Sequence, residues 1–577
     1  MKSEEPFLEN DTVESAATKG SGFRVPLLWI LFPQVCAYAL SEAGFSLSRS
    51  AIPVALCCAL VLAVVGFVAA LKNFRKGSWL CTTIWKCALP PAVLFLAGAW
   101  WSFRAPPEVD WRSVPESDVI AEIEIESPFR SAGKSWTGLA RVEKISGAGV
   151  LPQGARAYYQ FSKKEFGDAP VEGMKLRLKA DAGSVAKSKW LASRDTGFRD
   201  FLLSRRADIY VSRCREIEVV ESGIFVKFAG WCAQRKREIV AHFIVAGDKW
   251  ERESRVICAM MLGENALLFP EQKSDFSATG VAHVFAISGL HVGIVSMALF
   301  LVLRKILSSY TVSVAITLAV IFFCIQIAGA SPSALRAFVM IAFLFFSRSV
   351  IGRTVPTENA LAAAAFFSLW VNPSLLDNRG FLLSYCAVAA ILFYGLPLEE
   401  LLLSLRRPFA LIPPHSLSWW QRAYLKIRTK FVGVACISFS AFLSGSPFAI
   451  AYFGIFTLLS VIANFVVIPF ASATVVCAII SAVLWHIPLA GILSDILWRV
   501  ACWFVWIPEV FTGMLSQTPL HFRMEGVPTW FGAIGGILLL TSFFVGASLK
   551  FFRDRPLLRF ALPPALFCAY IVPFVVK

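Results

Sequence analysis

GVAHVFAISGLHVGIV, residues Gly280 to Val295, opens a long apolar run and yet carries two histidines, a serine and three glycines. His283 and His291 stand eight residues apart, so a continuous helix would place both on one face. Gly289 interrupts the run between Ser288 and Leu290, where a break or a close backbone approach costs little. Hydrocarbon offers polar groups no hydrogen-bonding partner, so such side chains at membrane depth pair with one another or face a wet cavity. An ordinary helix start with interfacial histidines is the plainer reading of the same residues.

Within this stretch HVFAISGLHVG (His283–Gly293) resembles the central signature of the ComEC family, the inner-membrane DNA channels of natural transformation. The preceding MLGENALLFPEQKSDFSATGVAH (Met261–His283) resembles that family's lead-in: a Leu-Gly step, a polar helix, then a Thr-Gly before the histidine. The signature positions carried by the resemblance are His283, Ser288, Gly289, Leu290, His291 and Gly293.

Composition places the chain in a membrane without help from any motif. Of 577 residues, 57% are hydrophobic and only 16% charged, the balance of a polytopic membrane protein. The net charge of +16 suits lysines and arginines gathered in cytoplasmic loops, and it suits a polyanionic substrate equally well. Fourteen cysteines are scattered mostly through apolar segments without CxxC spacing, as small buried hydrophobes would be. Cys214 and Cys232 differ, falling in or beside the main soluble insert. They can pair if that insert faces an oxidising compartment.

Taken in order, residues 1–22 are polar and acidic and read as a disordered cytoplasmic tail rather than a signal peptide. Residues 23–103 hold three apolar runs, about Val25–Leu47, Ala51–Leu71 and Trp79–Phe103. Lys72, Arg75 and Lys76 lie in the loop between the second and third, which the positive-inside rule puts in the cytoplasm. The N-terminus is then inside, and the third span delivers the chain to the outer side. Residues 224–262 read as amphipathic, interfacial helices with Trp231 and a basic QRKRE patch. By the resemblance, residues 263–577 are expected to be the competence-type transmembrane channel domain. Its apolar runs begin at Val281, with Arg304 and Lys305, Arg348 and Arg353, and Arg406 and Arg407 closing alternate spans. Ser416–Lys430 reads as a separate interfacial helix. The expected fold is a polytopic α-helical membrane protein of about thirteen spans with a small soluble β-barrel inserted.

That insert is residues 104–223. Val119–Ser127, Thr137–Ile145, Ala155–Phe161, Met174–Ala180 and Asp208–Val220 alternate apolar and polar residues, which marks half-buried strands. Five such strands suit an OB-like barrel, and the insert resembles the N-terminal soluble domain of the ComEC family, including SRDTGFRDFLLSRRADIYV (Ser193–Val211). OB barrels often hold single strands on aromatic and basic side chains. Trp136, Arg141, Tyr158, Tyr159, Lys163, Lys164, Lys175, Arg177 and Lys179 are the candidates here. Acidic residues are nearly as numerous, and lysines on edge strands also serve simply to prevent edge pairing.

Three further stretches resemble motifs of the family. AGASPSALRAFVM (Ala328–Met340) places Ser331, Ser333 and Arg336 at the mouth of a span. An arginine at membrane depth normally faces a bundle interior or a wet cavity, so either a phosphate contact or a purely structural pairing with a helix C-terminus fits Arg336. NPSLLDNRGFLLSYCAV (Asn372–Val388) carries Gly380, Phe381, Leu383 and Ser384 in matching places, with Asp377 and Arg379 able to pair at a span entrance. SVIANFVVIPF (Ser460–Phe470) puts Asn464 and Pro469 in a span that Pro469 can bend or break. The resemblance implies a pore lined by small residues and a few polar side chains, through which one DNA strand passes.

No phosphate-binding GxxxxGK[ST] is present, no zinc-ligand spacing joins the six histidines, and no cofactor or metal is expected. Many ComEC-family members end in a metallo-β-lactamase-like domain, which is not expected here. The partners implied by the resemblance are single-stranded DNA, the lipid bilayer, a separate DNA receptor, a cytoplasmic ATPase motor and a separate nuclease; a homodimer stays open. Two other readings compete: a membrane-embedded enzyme using Ser288 or His291, with Asp275 or Asp377 as the orienting acid, and a small-molecule transporter with a midplane site at Ser288–Gly289.

Overall fold

The computed structural model describes residues 118–132, 135–146, 155–166, 170–185, 207–221, 223–246, 248–285, 288–352, 355–519, 521–524 and 529–575, with Leu202, Val527 and a few isolated positions in the first hundred residues. The three apolar runs assigned to residues 23–103 lie almost wholly outside these. The isolated positions sit against a later helix: Trp100 donates from Nε1 to the Trp370 carbonyl at 2.7 Å and stacks on the Trp370 ring at 5.4 Å.

Strict alternation produces a closed barrel. Strands β1 (Val119–Ala132), β2 (Ser135–Ile145), β3 (Ala155–Ser162), β4 (Lys175–Ser184) and β5 (Ala207–Glu221) close in the order β1-β2-β3-β5-β4. The β3–β5 pair is parallel and the others are antiparallel, the arrangement of an OB-type barrel. Ile123, Ile125, Leu176, Leu178, Ile209 and Val211 point inward, with Phe161 stacked on Tyr159 at 5.0 Å. On the outer face opposite charges meet across the strands. Arg177 bonds Glu122 at 2.6 Å, Arg156 bonds Glu126 at 2.5 Å, and Lys175 reaches Glu143 at 2.9 Å.

From the barrel the chain enters helix α1 (Ile224–Ala246), then α2 (Glu251–Leu262) and α3 (Pro270–Ala278), which lead into the signature. Helix α1 docks by aromatics: Phe243 stacks on Trp498 at 3.8 Å and His242 on Trp485 at 4.0 Å. Ten apolar helices or helix pairs were expected from Val281 onward. The structure has α4 (Gly289–Ile306), α5 (Tyr310–Ile327), α6 (Pro332–Phe346), α7 (Thr357–Val371), α8 (Arg379–Leu405), α9 (Trp419–Phe453), α10 (Leu459–Trp485), α11 (Gly491–Ser516), α12 (Thr529–Ser548) and α13 (Pro556–Val575). Seven of the described helices are long and apolar enough to cross a membrane, and two more apolar helices are shorter.

Two boundaries differ from the sequence reading. The basic segment Ser416–Lys430 is not a separate helix; it is the first part of α9, which runs unbroken for 35 residues. At 1.5 Å per residue that is about 50 Å, longer than the hydrocarbon core, so the basic end projects beyond it. There Arg428 donates to the carbonyls of Leu402 at 3.3 Å and Arg406 at 2.6 Å, neutralising the C-terminal end of α8. The second difference is Pro469, which sits inside a continuous α10 rather than dividing it.

Helices α9 and α12 approach closely because α12 offers glycines where α9 is bulky. A Cβ on Gly536 would lie 2.2 Å from the ring of Phe448, and one on Gly532 would lie 2.7 Å from Ala451. Phe448 is buried and has nowhere to move. Gly536→Ala should therefore lower stability by about 1–3 kcal/mol, read as a fall in the melting midpoint of the detergent-solubilised protein. Gly445→Ala, whose added carbon would meet nothing within 4 Å, should leave that midpoint unchanged or raise it slightly, because alanine favours a helix interior over glycine. Equal midpoints for both would show that the close approach is not required.

Candidate functional site

The signature is broken, and the break decides what its side chains can do. Helix α3 ends at Thr279, whose hydroxyl donates back to the Asp275 carbonyl at 2.8 Å. Gly280 then turns the chain with φ of +73°, and a Cβ there would come within 2.7 Å of Thr457 and 2.8 Å of Ser460. Only glycine meets both demands. A single 3₁₀ turn, Ala282–Phe285, follows, and Phe285 packs on Phe276 at 4.7 Å. Helix α4 starts afresh at Gly289, capped by Ser288, whose Oγ accepts the His291 backbone N–H at 3.2 Å. The two histidines therefore do not ride one helix. His283 sits in the turn before α4 and is exposed. His291 stands in the first turn of α4, 5% exposed, and its Nδ1 makes no hydrogen bond with the protein.

Three of the four motif stretches meet at Arg336. It lies in the second turn of α6, 5% exposed. Its guanidinium leans back along the helix. Nη1 donates to the Ser384 carbonyl of α8 at 3.1 Å, Nη2 lies 3.5 Å from Ser333 Oγ, and Nε has no partner. Ser384 Oγ donates to Ser333 Oγ at 3.1 Å, tying α8 to α6 directly. Tyr385 offers its ring face 5.7 Å away. A Cβ on Gly289 would lie 2.5 Å from Nη2, so the glycine at the start of α4 is what admits the guanidinium. Ser331 caps α6, accepting from the Ala334 N–H at 3.3 Å. Among the described residues no carboxylate pairs with Arg336. The arrangement is a buried cation at the beginnings of two helices, not at a C-terminus.

The remaining signature residues fall around this centre. Gly293 lies one turn along α4, where an added carbon would meet nothing within 4 Å, while Leu290 is exposed. Gly380 and Phe381 start α8 and donate their N–H groups to Asn378 Oδ1 at 2.9 and 3.2 Å. Asn464 is buried in α10, which packs against α4, and its Oδ1 has no protein partner. Arg379 lies over the Tyr452 ring at 5.0 Å, and the Asp377 side chain is outside the described residues. Among the described residues the Ser-His-acid triangle of the competing enzyme reading is not assembled: the Ser288 Oγ caps α4, and Asp275 accepts from Ser516 Oγ at 2.8 Å.

The barrel candidates divide between surroundings: Arg141, Lys175, Arg177 and Lys179 lie on the outer face of the strands flanking β1, whereas the two tyrosines are covered. Tyr158 and Tyr159 are corrected by their burial, 4% and 0% exposed: Tyr159 fills the barrel core and Tyr158 is covered on the opposite face by Val185 and Leu202, so neither can stack on a base. Trp136 donates Nε1 to the Phe166 carbonyl at 3.0 Å, with Lys163 over its ring at 4.8 Å. Lys175 and Arg177 are tied to Glu143 and Glu122, and Lys179 reaches Asp118 at 3.3 Å. Arg141 and Lys164 are exposed. Cys214 and Cys232 are both free thiols, so the expected pairing is absent. Cys214 is buried in the barrel, where burial pushes its thiol pKa up to about 12.

The architecture is a helical membrane domain with an OB-type barrel ahead of it, and comparison settles the family. The model of the competence protein family matches residues 260–549, half of the chain, and the protein belongs to that family, the ComEC type. ComE operon protein 3 of Bacillus subtilis (strain 168) is 24% identical over 229 residues, covering 40% of this chain and 26% of that protein. An uncharacterized protein of Aquifex aeolicus (strain VF5) is 26% identical over 215 residues, covering 33% of this chain and 50% of its own. The match thus spans about a quarter and a half of these relatives' lengths. No solved structure matches the chain.

One polar centre escaped the sequence reading. Glu509 follows Pro508 inside α11 and is 8% exposed. Its Oε1 accepts from Arg252 Nε of α2 and from Gln272 Nε2 of α3, the latter at 3.0 Å. Gln272 also donates to the Arg252 carbonyl at 3.1 Å and accepts from the Phe269 N–H at 3.0 Å. A lone glutamate in an apolar run was the signal. This clasp fastens the lead-in helices to the membrane domain. Glu509→Ala would remove one of the two acceptors of the buried Gln272 amide and the carboxylate paired with Arg252, which costs about 1–3 kcal/mol. Glu509→Gln keeps an acceptor oxygen and should lose less. The melting midpoints of the two variants test this; an unchanged midpoint in Glu509→Ala would show that the clasp contributes nothing.

Proposed function

We propose that the protein conducts one strand of DNA inward across the cytoplasmic membrane during natural transformation, as a channel rather than an enzyme. The observation that carries this is the family match over residues 260–549, which coincides with the helices that bring Arg336, His291 and Asn464 into the protein interior with unused hydrogen-bonding capacity. An uncompensated arginine in a span costs at least about 2.5 kcal/mol at the membrane centre. A wet conduit lowers that cost, and a conduit suits loose, repeated contacts with a moving polyanion. The capped Ser288 hydroxyl argues against a nucleophile at the signature. A small-molecule transporter fits less well, because the named polar groups come with a family whose described role is competence.

The orientation follows from the positive loop Lys72–Lys76: N-terminus in the cytoplasm and barrel on the outer side of the inner membrane. A separate DNA receptor would deliver substrate there, and a cytoplasmic ATPase motor would draw the strand through. A separate nuclease would remove its complement. A homodimer is compatible with this scheme.

Deleting the gene should abolish transformation by linear chromosomal DNA. Arg336→Leu and His291→Ala should insert at normal abundance while transformation frequency falls by at least tenfold, and Arg336→Lys, which keeps the charge, should retain part of it. Abundance measured beside frequency separates the cases: a missing Arg336→Leu protein marks a fold-holding arginine, and full activity in both neutral variants removes the residues from the conduit. Orientation is tested separately. A periplasmic phosphatase fused near Gly147 should be active, and cytoplasmic-type reporter activity there would reverse the direction of transport.

A further inference from the structure

Among the described residues, none neutralises the Arg336 cation. A guanidinium carries five N–H donors, and the interior gives this one a single carbonyl at 3.1 Å, a hydroxyl at 3.5 Å and nothing at Nε. The neighbouring dipoles add to its charge instead of offsetting it. Gly289 begins α4 and lies against Nη2, while Ser331 and Ser333 begin α6. The first amides of a helix have no acceptor within the helix and carry a partial positive charge. Helices α4 and α6 have 18 and 15 residues, long enough for a developed dipole. His291, 95% buried in the first turn of α4, adds an unpartnered Nδ1. A buried charge without a partner is strongly unfavourable, so this cluster is complementary to an anion.

We propose that Arg336, together with the opening turns of α4 and α6, is a docking site for a single phosphodiester group of the translocating strand. The inference rests on the DNA-channel reading and adds a residue-level site to it. A guanidinium matches two phosphate oxygens at once, and helix N-termini receive the same group through their amides. Ser333 and Ser384, already joined at 3.1 Å, supply hydroxyls beside the guanidinium. Gly289 is then a residue whose missing side chain holds the guanidinium at the mouth of α4. Gly289→Ala places a methyl where Nη2 lies, displacing the cation without removing it.

The test uses the full chain purified in a neutral, phosphate-free detergent. Its melting midpoint is measured in sodium phosphate and in sodium chloride of equal ionic strength, then with a short oligothymidylate and with phosphatidylglycerol. Phosphate should raise the midpoint saturably above chloride, and oligothymidylate should do so at lower concentration. Arg336→Gln should abolish the rise, and Gly289→Ala should weaken apparent phosphate affinity at least tenfold. If Arg336→Gln does not fold, Gly289→Ala decides. No rise beyond chloride, or an undiminished rise in Gly289→Ala, overturns the proposal; stabilisation by phosphatidylglycerol but not by oligothymidylate assigns the group to a lipid headgroup and overturns it equally. The two readings fail separately. Loss of transformation in Arg336→Leu without any phosphate response removes the docking site and leaves the channel, whereas phosphate binding in a protein whose gene deletion leaves transformation intact removes the channel.

Discussion

A charge inside a membrane domain must be answered by something, and at Arg336 the answer shapes the chain around it. The guanidinium reaches the start of α4 only because position 289 has no side chain, and it reaches α8 only through the Ser384 carbonyl. Those two contacts draw three separate sequence motifs into one place. The break before α4 follows from the same demand. A helix continuing from Ala282 through the signature would bury its backbone amides in its own hydrogen bonds; ending at Phe285 and restarting at Gly289 exposes a fresh N-terminus beside the arginine.

Much of this architecture is legible in sequence where one physical pattern dominates. The five barrel strands stand out because a two-residue period cannot be imitated by a helix, and their observed limits extend the expected ones by only a few residues, as in β1 and β4. The membrane helices are legible for the opposite reason, since hydrocarbon permits nothing but satisfied backbone. What periodicity does not encode is which face of a strand turns inward when both neighbours are aromatic. Tyr158 and Tyr159 look like a stacking platform in sequence, yet they point to opposite faces of β3 and both are covered, Tyr159 by the main core and Tyr158 by Val185 and Leu202. The pairing of Lys175 and Arg177 with Glu143 and Glu122 is likewise a matter of strand register, set by long-range closure.

The candidate site shows the same division. His291, Ser331, Ser333, Arg336 and Ser384 are identifiable as polar residues in apolar surroundings, but nothing local says that they converge, or that Gly289 is their point of contact. Glu509 was just as conspicuous chemically and carried no motif around it. Its partners, Arg252 and Gln272, are 257 and 237 residues away in sequence.

That clasp gives the fold its internal order. The barrel leads through α1, which is fixed to α10 and α11 by stacked rings, into α2 and α3, which Glu509 fastens to α11. Helix α3 then ends at Gly280, wedged against Thr457 and Ser460 beside the start of α10. Helices α1, α2 and α3 are thus anchored to α10 or α11, and the turn carrying His283 follows directly from α3. Helices α4 and α6 are held differently, by a capped serine, a missing side chain and an arginine with one good acceptor.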